Sequence, residues 1–367
     1  PAQVSYQTAE GQHHELGATM VLDCSGRSGV IARQGHRWLE PHQATIALIG
    51  IWSRDGVWDV PEPSHTLVES YVDGWGWSVP VSPSVRYVAF MVDPRTTSLR
   101  QTANTASVYH GELNKTVQLS RMVRGARLMR KPWGRDASVY SASEFGGSSF
   151  LLVGDAASSL DPLSSFGVRK ALMSAWLAAV VTRTKIRRSE RESAALDLFT
   201  RHETQVFEAA RKLSASYSSD VGVKEAHPFW VGRSEFTESP FQIGDHEFTE
   251  RNDDALIHDA FESLRKASRI NLCVTAAVRL TTMPAVRDDE VTLEKCVVVA
   301  GWSATATGLC FLRGVNVPLL VEIAGDYGHV PDLFEAYNRS AYPVSLEEFL
   351  RVLSLLLAKG ALRNLAE

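Results

Sequence analysis

The sequence lacks most of the features that settle a protein's class at a glance. It has four cysteines in 367 residues. None of them form a Cys-x-x-Cys pair, which excludes a redox dithiol and a cysteine-rich zinc module. Cys24, Cys273, Cys296 and Cys310 each sit among apolar or small neighbours and read as buried free thiols. No His-Glu-x-x-His stretch occurs, so no metal site is expected. Neither sign of charge dominates: 38 basic and 42 acidic residues leave a net charge of −4. That balance argues against nucleic acid or an anionic membrane as partner. The longest apolar stretches, such as 175–181, fall well short of the ~20 residues of a membrane span. Residues 1–10 lack the ordered basic and apolar regions of a secretory leader. A cytoplasmic protein is expected.

What is present is ordinary globular composition, 44% hydrophobic and 22% charged. At roughly 150 residues per domain, the length implies two or three packed units. Residues 18–24 read as a strand that ends in the turn 25–29. Segments 44–52, 66–71 and 87–92 are rich in β-branched and aromatic residues and are separated by turn formers, as in a mostly antiparallel sheet. Polarity loses its alternation over 107–128, where a helix is expected, and 138–143 is one more strand. Phe150-Leu-Leu-Val153 is apolar throughout, like a strand buried on both faces. Helices are expected over 168–182 and 188–216, the second with Leu196, Phe199, Val206, Phe207, Ala210 and Leu213 at helical spacings. The aromatic, Pro- and Gly-dense stretch 228–249 reads as an ordered loop region, and 254–269 as a helix. A strand over 293–300, a Gly-rich turn, and helices over 317–324, 330–338 and 346–357 make a small helical or winged-helix C-terminal part. The fold class is therefore mixed α/β. One domain is drawn from 1–40 and 145–185, a sheet domain from 41–144, a helical and aromatic region from 186–279, and a small domain from 280–367.

The chemistry concentrates in Val153-Gly-Asp-Ala-Ala-Ser-Ser-Leu-Asp-Pro-Leu-Ser-Ser-Phe-Gly-Val168. A buried strand delivers Asp155 to the carboxyl edge of a sheet, and small residues let the backbone approach a ligand. Asp161-Pro162 restricts the chain, and Gly167 opens a helix whose free amides suit electron-rich groups. Arg169 and Lys170 lie in that helix's first turn, where cations oppose the helix dipole unless an anion faces them. In Trp75-Gly-Trp-Ser-Val-Pro80, residues two apart on a strand share a face, so Trp75, Trp77 and Val79 line one side. Phe229 and Trp230 suit the walls of a pocket for a planar substrate. His227, near Arg233 and Glu235, is a weak general-base candidate, as are Arg169 and Lys170 for catalysis.

The strand–Gly-Asp–loop–Asp-Pro–Gly–helix arrangement resembles the second flavin motif of the glutathione-reductase-like fold. That fold is shared by flavin-dependent aromatic monooxygenases and flavin-dependent halogenases. Val21-Leu-Asp-Cys-Ser-Gly-Arg-Ser-Gly29 resembles the family's strand returning to the FAD domain, and Trp75–Pro80 resembles the WxWxIP signature of tryptophan-halogenase relatives. The resemblance covers most of 18–233. It implies an FAD cofactor, with Asp155 against the ribityl chain and the 162–168 loop beside the isoalloxazine. The residues it points to are Arg27, Gly154, Asp155, Ala156, Pro162, Ser164, Ser165, Phe166, Gly167 and Val168. On the substrate side it implies Trp75, Trp77, Phe229 and Trp230.

The activity implied is oxygen transfer, through a flavin C4a-hydroperoxide, to an aromatic or indole-like substrate, either a small molecule or a tryptophan within a partner protein. Electrons would come from NAD(P)H or a flavin reductase. Halogenation is the alternative, but halogenases typically carry a small hydroxyl residue directly before the helix-start glycine. Here that position is Phe166, with Ser164 and Ser165 nearby. No Gly-x-Gly-x-x-Gly fingerprint occurs. The resemblance places it, and a halogenase's lysine, upstream of Pro1. A non-catalytic or split flavoprotein completed by a separate N-terminal chain is a further alternative.

Overall fold

The computed structural model describes residues 2–40, 43–100, 104–224, 226–234, 253–302 and 308–366. It divides into two compact units, 1–176 with 206–240, and 177–205 with 241–367.

The first unit opens with a hairpin of β1 (Ala2–Gln7) and β2 (His13–Ala18), followed by β3 (Val21–Asp23) and β4 (Arg37–Leu39). The strand expected over 18–24 is thus the end of one element and the whole of another. A six-stranded antiparallel sheet then forms from β5 (Ile46–Ser53), β6 (Leu67–Tyr71), β7 (Gly74–Ser82), β8 (Val85–Val92), β9 (Arg127–Leu128) and β10 (Trp133–Asp136). Its order is β10-β5-β8-β7-β6, with β9 also paired to β5.

Period-two alternation gives this sheet two buried faces. Leu48, Trp52, Val88, Phe90 and Val92 point to one side and pack on Val108, Tyr109, Leu113, Leu119 and Met122. Ala47, Trp75, Ala89 and Met91 point to the other, against Phe229 and Trp230. The Trp-Gly-Trp alternation of β7 follows from this division. At Gly76 an added Cβ would lie 2.6 Å from Leu119 Cδ1 and 2.8 Å from the Phe90 ring.

The single helix expected over 107–128 is instead α1 (Thr105–Asn114) and α2 (Gln118–Met122), running into β9. The break has a tertiary cause. The Glu69 carboxylate, on β6, accepts from the amides of Val117, Gln118 and Leu119 at 2.6–3.0 Å. It thereby satisfies the free amides of a new helix start.

Three further strands complete the unit: β11 (Tyr140–Ala142), β12 (Phe150–Leu152) and β13 (Ser158–Ser159). β11 lies between β13 and β4, and β12 pairs in parallel with β3. Helices α3 (Gly167–Arg187), α4 (Glu192–Gly222) and α5 (Pro228–Ser234) follow, residues 177–205 of the first two being counted with the second unit. The expected loop region at 228–249 therefore begins as a helix, and its part from 235 on, including Glu235, lies outside the described residues.

In the second unit α6 (Asp253–Lys266), β14 (Leu272–Val274), the long hairpin β15 (Val278–Arg287) and β16 (Glu290–Val299), β17 (Phe311–Leu312) and β18 (Val315–Asn316) precede three helices. These are α7 (Val317–Ile323), α8 (Val330–Asn338) and α9 (Leu346–Ala358), and β19 (Leu362–Asn364) closes the chain against β14. Their core includes Leu264, Leu272, Val297, Leu320, Leu333, Phe349 and Leu353. It therefore takes in α6 as well as the tail from 280.

The reading of four buried free thiols is corrected. Cys296 and Cys310 form a disulfide, and Cys24 is exposed. The bond follows from chain return: the amide of Val297 donates to Leu309 and that of Leu309 donates to Val297, at 3.0 and 2.9 Å. This brings the neighbouring Cα atoms of Cys296 and Cys310 to 4.3 Å.

Gly76→Ala is expected to lower stability by about 1–3 kcal/mol through overpacking between α2 and the sheet. Chemical denaturation against Gly17→Ala, where an added Cβ meets nothing within 4 Å, checks it. Equal stability of the two variants would refute the packing account.

Candidate functional site

Parallel pairing sets Leu152 opposite Asp23, so the turns that follow β3 and β12 leave the same sheet edge side by side. In parallel sheets ligands gather at such carboxyl edges. The first turn is organised by Asp23, which is almost fully buried. Its Oδ1 accepts from the amide and hydroxyl of Ser25 at 3.1 and 2.5 Å, and its Oδ2 from the amides of Ile31 and Ala32 at 2.7 and 3.4 Å. Burial pushes the carboxyl toward protonation, but these hydrogen bonds outweigh it and hold Asp23 below the usual carboxylate range. Gly29 closes the turn with φ of +55°, and a Cβ there would run into the Arg37 guanidinium.

The second turn is built on Gly154, whose φ of +60° strains any side chain and where an added Cβ would lie 3.3 Å from the Ala171 Cβ. Its amide donates to Ser174 Oγ at 2.9 Å. Lys170 is buried, and its ammonium donates to the carbonyls of Gly154, at 2.7 Å, and Ser158. The charge that opposes the helix dipole thus meets backbone carbonyls of the turn. The Asp155 carbonyl accepts from the Tyr140 hydroxyl at 2.6 Å, while burial keeps that phenol protonated against the pull of Arg27 and Arg37. The Asp155 carboxylate is half-buried and makes no hydrogen bond or ion pair with the described residues.

Two guanidiniums lie over the Tyr140 ring, Arg37 at 4.0 Å and Arg27 at 4.9 Å from its centroid. Arg27 is further tied to Ser159 Oγ, to the Ser138 carbonyl at 3.0 Å and to Asp136 at 3.0 Å. Arg37 donates to the Arg27 carbonyl at 3.0 Å. Its Nε and Nη2 are buried without a hydrogen-bond partner among the described residues, as is the Ser158 hydroxyl. Buried donors left unpaired mark a place where a ligand or ion supplies acceptors.

The loop that follows is self-bonded. Asp161 accepts from the Leu163 amide at 2.9 Å, Ser164 donates to the Asp161 carbonyl at 2.8 Å, and Ser165 takes a left-handed φ of 56°. Phe166 packs with Trp38, Val139, Leu160 and Phe207. Gly167, Val168 and Arg169 are exposed, and nothing lies within 4 Å of the place a Gly167 Cβ would occupy. Arg169 stands 5.9 Å from the Phe166 ring centroid.

On the substrate side, Trp75, Trp77, Phe229 and Trp230 meet in one cluster that also takes Leu163 from the loop. Trp230 Nε1 donates to the Tyr71 carbonyl at 2.9 Å. A cavity of about 450 Å³ opens beside Phe229, lined also by Asp93, Arg95 and Thr96. His227 Nδ1 accepts from the Phe229 amide at 3.1 Å. That lone pair serves the start of α5. The residue that sequence reasoning undervalued is Arg233, which joins this helix to both the sheet and the loop. Tyr140 and Arg37 gave no motif of their own, and Ser158 stood in the 153–168 block without a role assigned to it; only the predicted strand at 138–143 hinted at Tyr140. Among the described residues no cluster of His, Cys, Asp and Glu could hold a metal ion, and no helix is long and apolar enough to cross a membrane.

The profile of the tryptophan halogenase family matches residues 3–251. The chain belongs to the tryptophan halogenase family. Among curated relatives it is 27% identical, over 234 residues, to a tryptophan 2-halogenase of Chondromyces crocatus, a match covering 62% of this chain and 44% of the relative. The chain thus spans less than half the length of that halogenase. Among solved structures, CmlS, a flavin-dependent halogenase, superposes with a TM-score of 0.73 over 99% of this chain and 71% of its own, at 19% identity. The peptidyl tryptophan dihydroxylase QhpG gives 0.64 over 97% and 72%, at 22% identity. The fold is that of the FAD-dependent halogenases, mixed α/β as the sequence implied. For a family whose fold carries FAD, the residues fit: an unpaired carboxylate at Asp155, unpaired donors on Arg37 and Ser158, and side-chain-free backbone at Gly154 and Gly167.

Asp23→Asn is expected to cost about 2 kcal/mol at neutral pH, the scale of hydrogen bonds to a charged acceptor. Because the folded carboxyl is held low, the native advantage exists above the unfolded value of about 4 and disappears as pH falls through the lower folded value. Denaturation midpoints of the two proteins should therefore converge only in strong acid. A gap that stayed constant down to pH 2 would sink this assignment.

Proposed function

We propose that this member of the family is an FAD-dependent monooxygenase acting on an aromatic or indole-like ring. FAD, when bound, supplies the oxygen activation, and the protein supplies position and field. Asp155 would accept hydroxyls of the ribityl chain. Arg37, Arg27 and Ser158 would face electron-rich atoms, and the exposed backbone at Gly167 would lie against the flavin ring. Trp75, Trp77 and Phe229 would wall the substrate chamber. A reductant delivered by a flavin reductase or by NAD(P)H, and a tryptophan in a partner protein as one substrate form, belong to the same reading. The dihydroxylase activity of the neighbour QhpG on peptidyl tryptophan supports it.

Phe166 carries the choice of oxygen over halogen. The position directly before Gly167 has no hydroxyl, its ring is packed into an apolar cluster, and the Ser164 hydroxyl is bonded back onto its own loop. Halogenation is the second reading, favoured by the halogenase relatives and by Ser165, which remains exposed. Mass analysis of product from reduced FAD, oxygen and an indole, with and without bromide, separates the two. One added oxygen in both conditions supports the proposal, and a bromine isotope pair overturns it.

Asp155→Ala should weaken FAD about 10- to 100-fold, equivalent to the loss of charge-assisted hydrogen bonds. Quenching of flavin fluorescence on titration reads this without turnover. Unchanged affinity would remove Asp155 from the cofactor site.

A further inference from the structure

We propose that the indole N–H of Trp77 is a specificity-determining donor to a neutral oxygen acceptor on the substrate, a carbonyl or an ether or phenol oxygen. The inference rests on the aromatic-substrate reading above and deepens it.

The chain provides acceptors for three other buried indoles. Trp52 Nε1 donates to the Tyr109 hydroxyl at 2.8 Å, Trp58 to the Pro83 carbonyl at 3.0 Å, and Trp230 to the Tyr71 carbonyl at 2.9 Å. Trp77 Nε1 is buried and has no hydrogen-bond partner among the described residues. A buried donor left unpaired costs on the order of 1–3 kcal/mol, so its survival in a well-packed sheet calls for an acceptor that arrives from outside.

The strand leaves the ring little freedom. Trp77 is paired with Val68 on one side and Ala89 on the other, in the middle of regular ladders. It joins the cluster that also holds Ile49, Phe229 and, from the loop between β13 and α3, Leu163. Its side chain is therefore on the face proposed for substrate. The surroundings also choose the acceptor's charge. Its ladder partners Val68 and Ala89, and Ile49 beyond Ala89, are all uncharged. The cation on that cluster, Arg233 over the Phe229 ring, is already engaged by the Phe229 and Ala44 carbonyls and by Asp93, so an anion would be desolvated at high cost, whereas a neutral oxygen needs only the one donor. Sites built to hydrogen-bond a substrate group discriminate strongly against analogues lacking it, because the protein group is then left unpaired.

The test uses two probes of one shape, acetophenone with a carbonyl and isopropylbenzene without, titrated into the whole protein labelled with ¹⁵N-tryptophan. The Nε1–H signal absent from Trp77→Phe identifies the group. Acetophenone should move that signal downfield, isopropylbenzene should not, and Trp77→Phe should bind acetophenone about tenfold more weakly with isopropylbenzene unchanged. Replacing Trp77 by benzothienylalanine, which keeps the bicyclic ring and removes the N–H, should reproduce the loss if the phenylalanine variant folds poorly. Equal weakening of both probes would reduce Trp77 to packing and overturn the inference. So would an unmoved signal, or failure of both probes to bind. None of these results touches the mass test of oxygen transfer, so the two readings fail separately.

Discussion

The first unit depends on one buried cation. Arg233, with 4% of its surface exposed, donates to the carbonyls of Phe229 and Ala44 and to the Thr45 hydroxyl, at 3.0–3.1 Å. Its guanidinium lies 3.8 Å from the Phe229 ring centroid and 4.0 Å from the Asp93 carboxylate. Burial disfavours its charge, and Asp161 and Asp93 sustain it. The converse holds for Asp161, whose carboxyl is pushed up by burial against the help of the Leu163 amide and Arg233. Asp93 stays low because its bonds from Arg95 outweigh burial. A buried charge is tolerable only while its partners stay in place. The sheet edge at 44–45 and 93, the flavin-side loop at 161 and the aromatic helix at 229–233 are therefore held together electrostatically. The separation between the loop and the substrate wall is set by that cluster rather than by local loop preferences.

Lys170 applies the same logic one turn into α3. A cation at a helix start is unfavourable by a few tenths of a kcal/mol in water. A buried ammonium between two carbonyls instead fixes the 154–158 turn against the helix. The turn and the helix start are thereby tied directly to one another. That rigidity suits a site in which the protein contributes position and field while a cofactor carries the chemistry.

How much of this was legible in the sequence follows the range of the interactions. The apolar run 150–153, the Trp-x-Trp strand and the Asp155 turn were readable because each is a local pattern whose meaning is set by strand periodicity and by glycine. The split of 107–128 was not, because Glu69 caps α2 from about fifty residues away in sequence. The Cys296–Cys310 bond was hidden for a related reason: its geometry is made by a backbone bridge between Val297 and Leu309, and no cysteine spacing records it. β15 was missed although β16 was partly seen, since its polar, Thr-rich and Pro-containing stretch is a strand chiefly by pairing with its neighbour. Arg37, Ser158 and Tyr140 belong to the same class. They come together through the antiparallel β13-β11-β4 sheet, a long-range pairing that no local pattern records.

The competition between oxygen and halogen transfer also turns on packing. A hydroxyl before Gly167 would have to replace a phenyl ring that fills space among Trp38, Leu160 and Phe207. The ring packs against a cluster that includes Leu160 from its own loop and Phe207 from α4. Ser164 cannot substitute while it is bonded to Asp161, and Ser165 sits in a left-handed turn beside it. The same loop conformation that lets Asp161 reach the field of Arg233 therefore fixes where hydroxyls stand at the helix start. Positioning of the loop and selection of the transferred atom are set by one set of contacts.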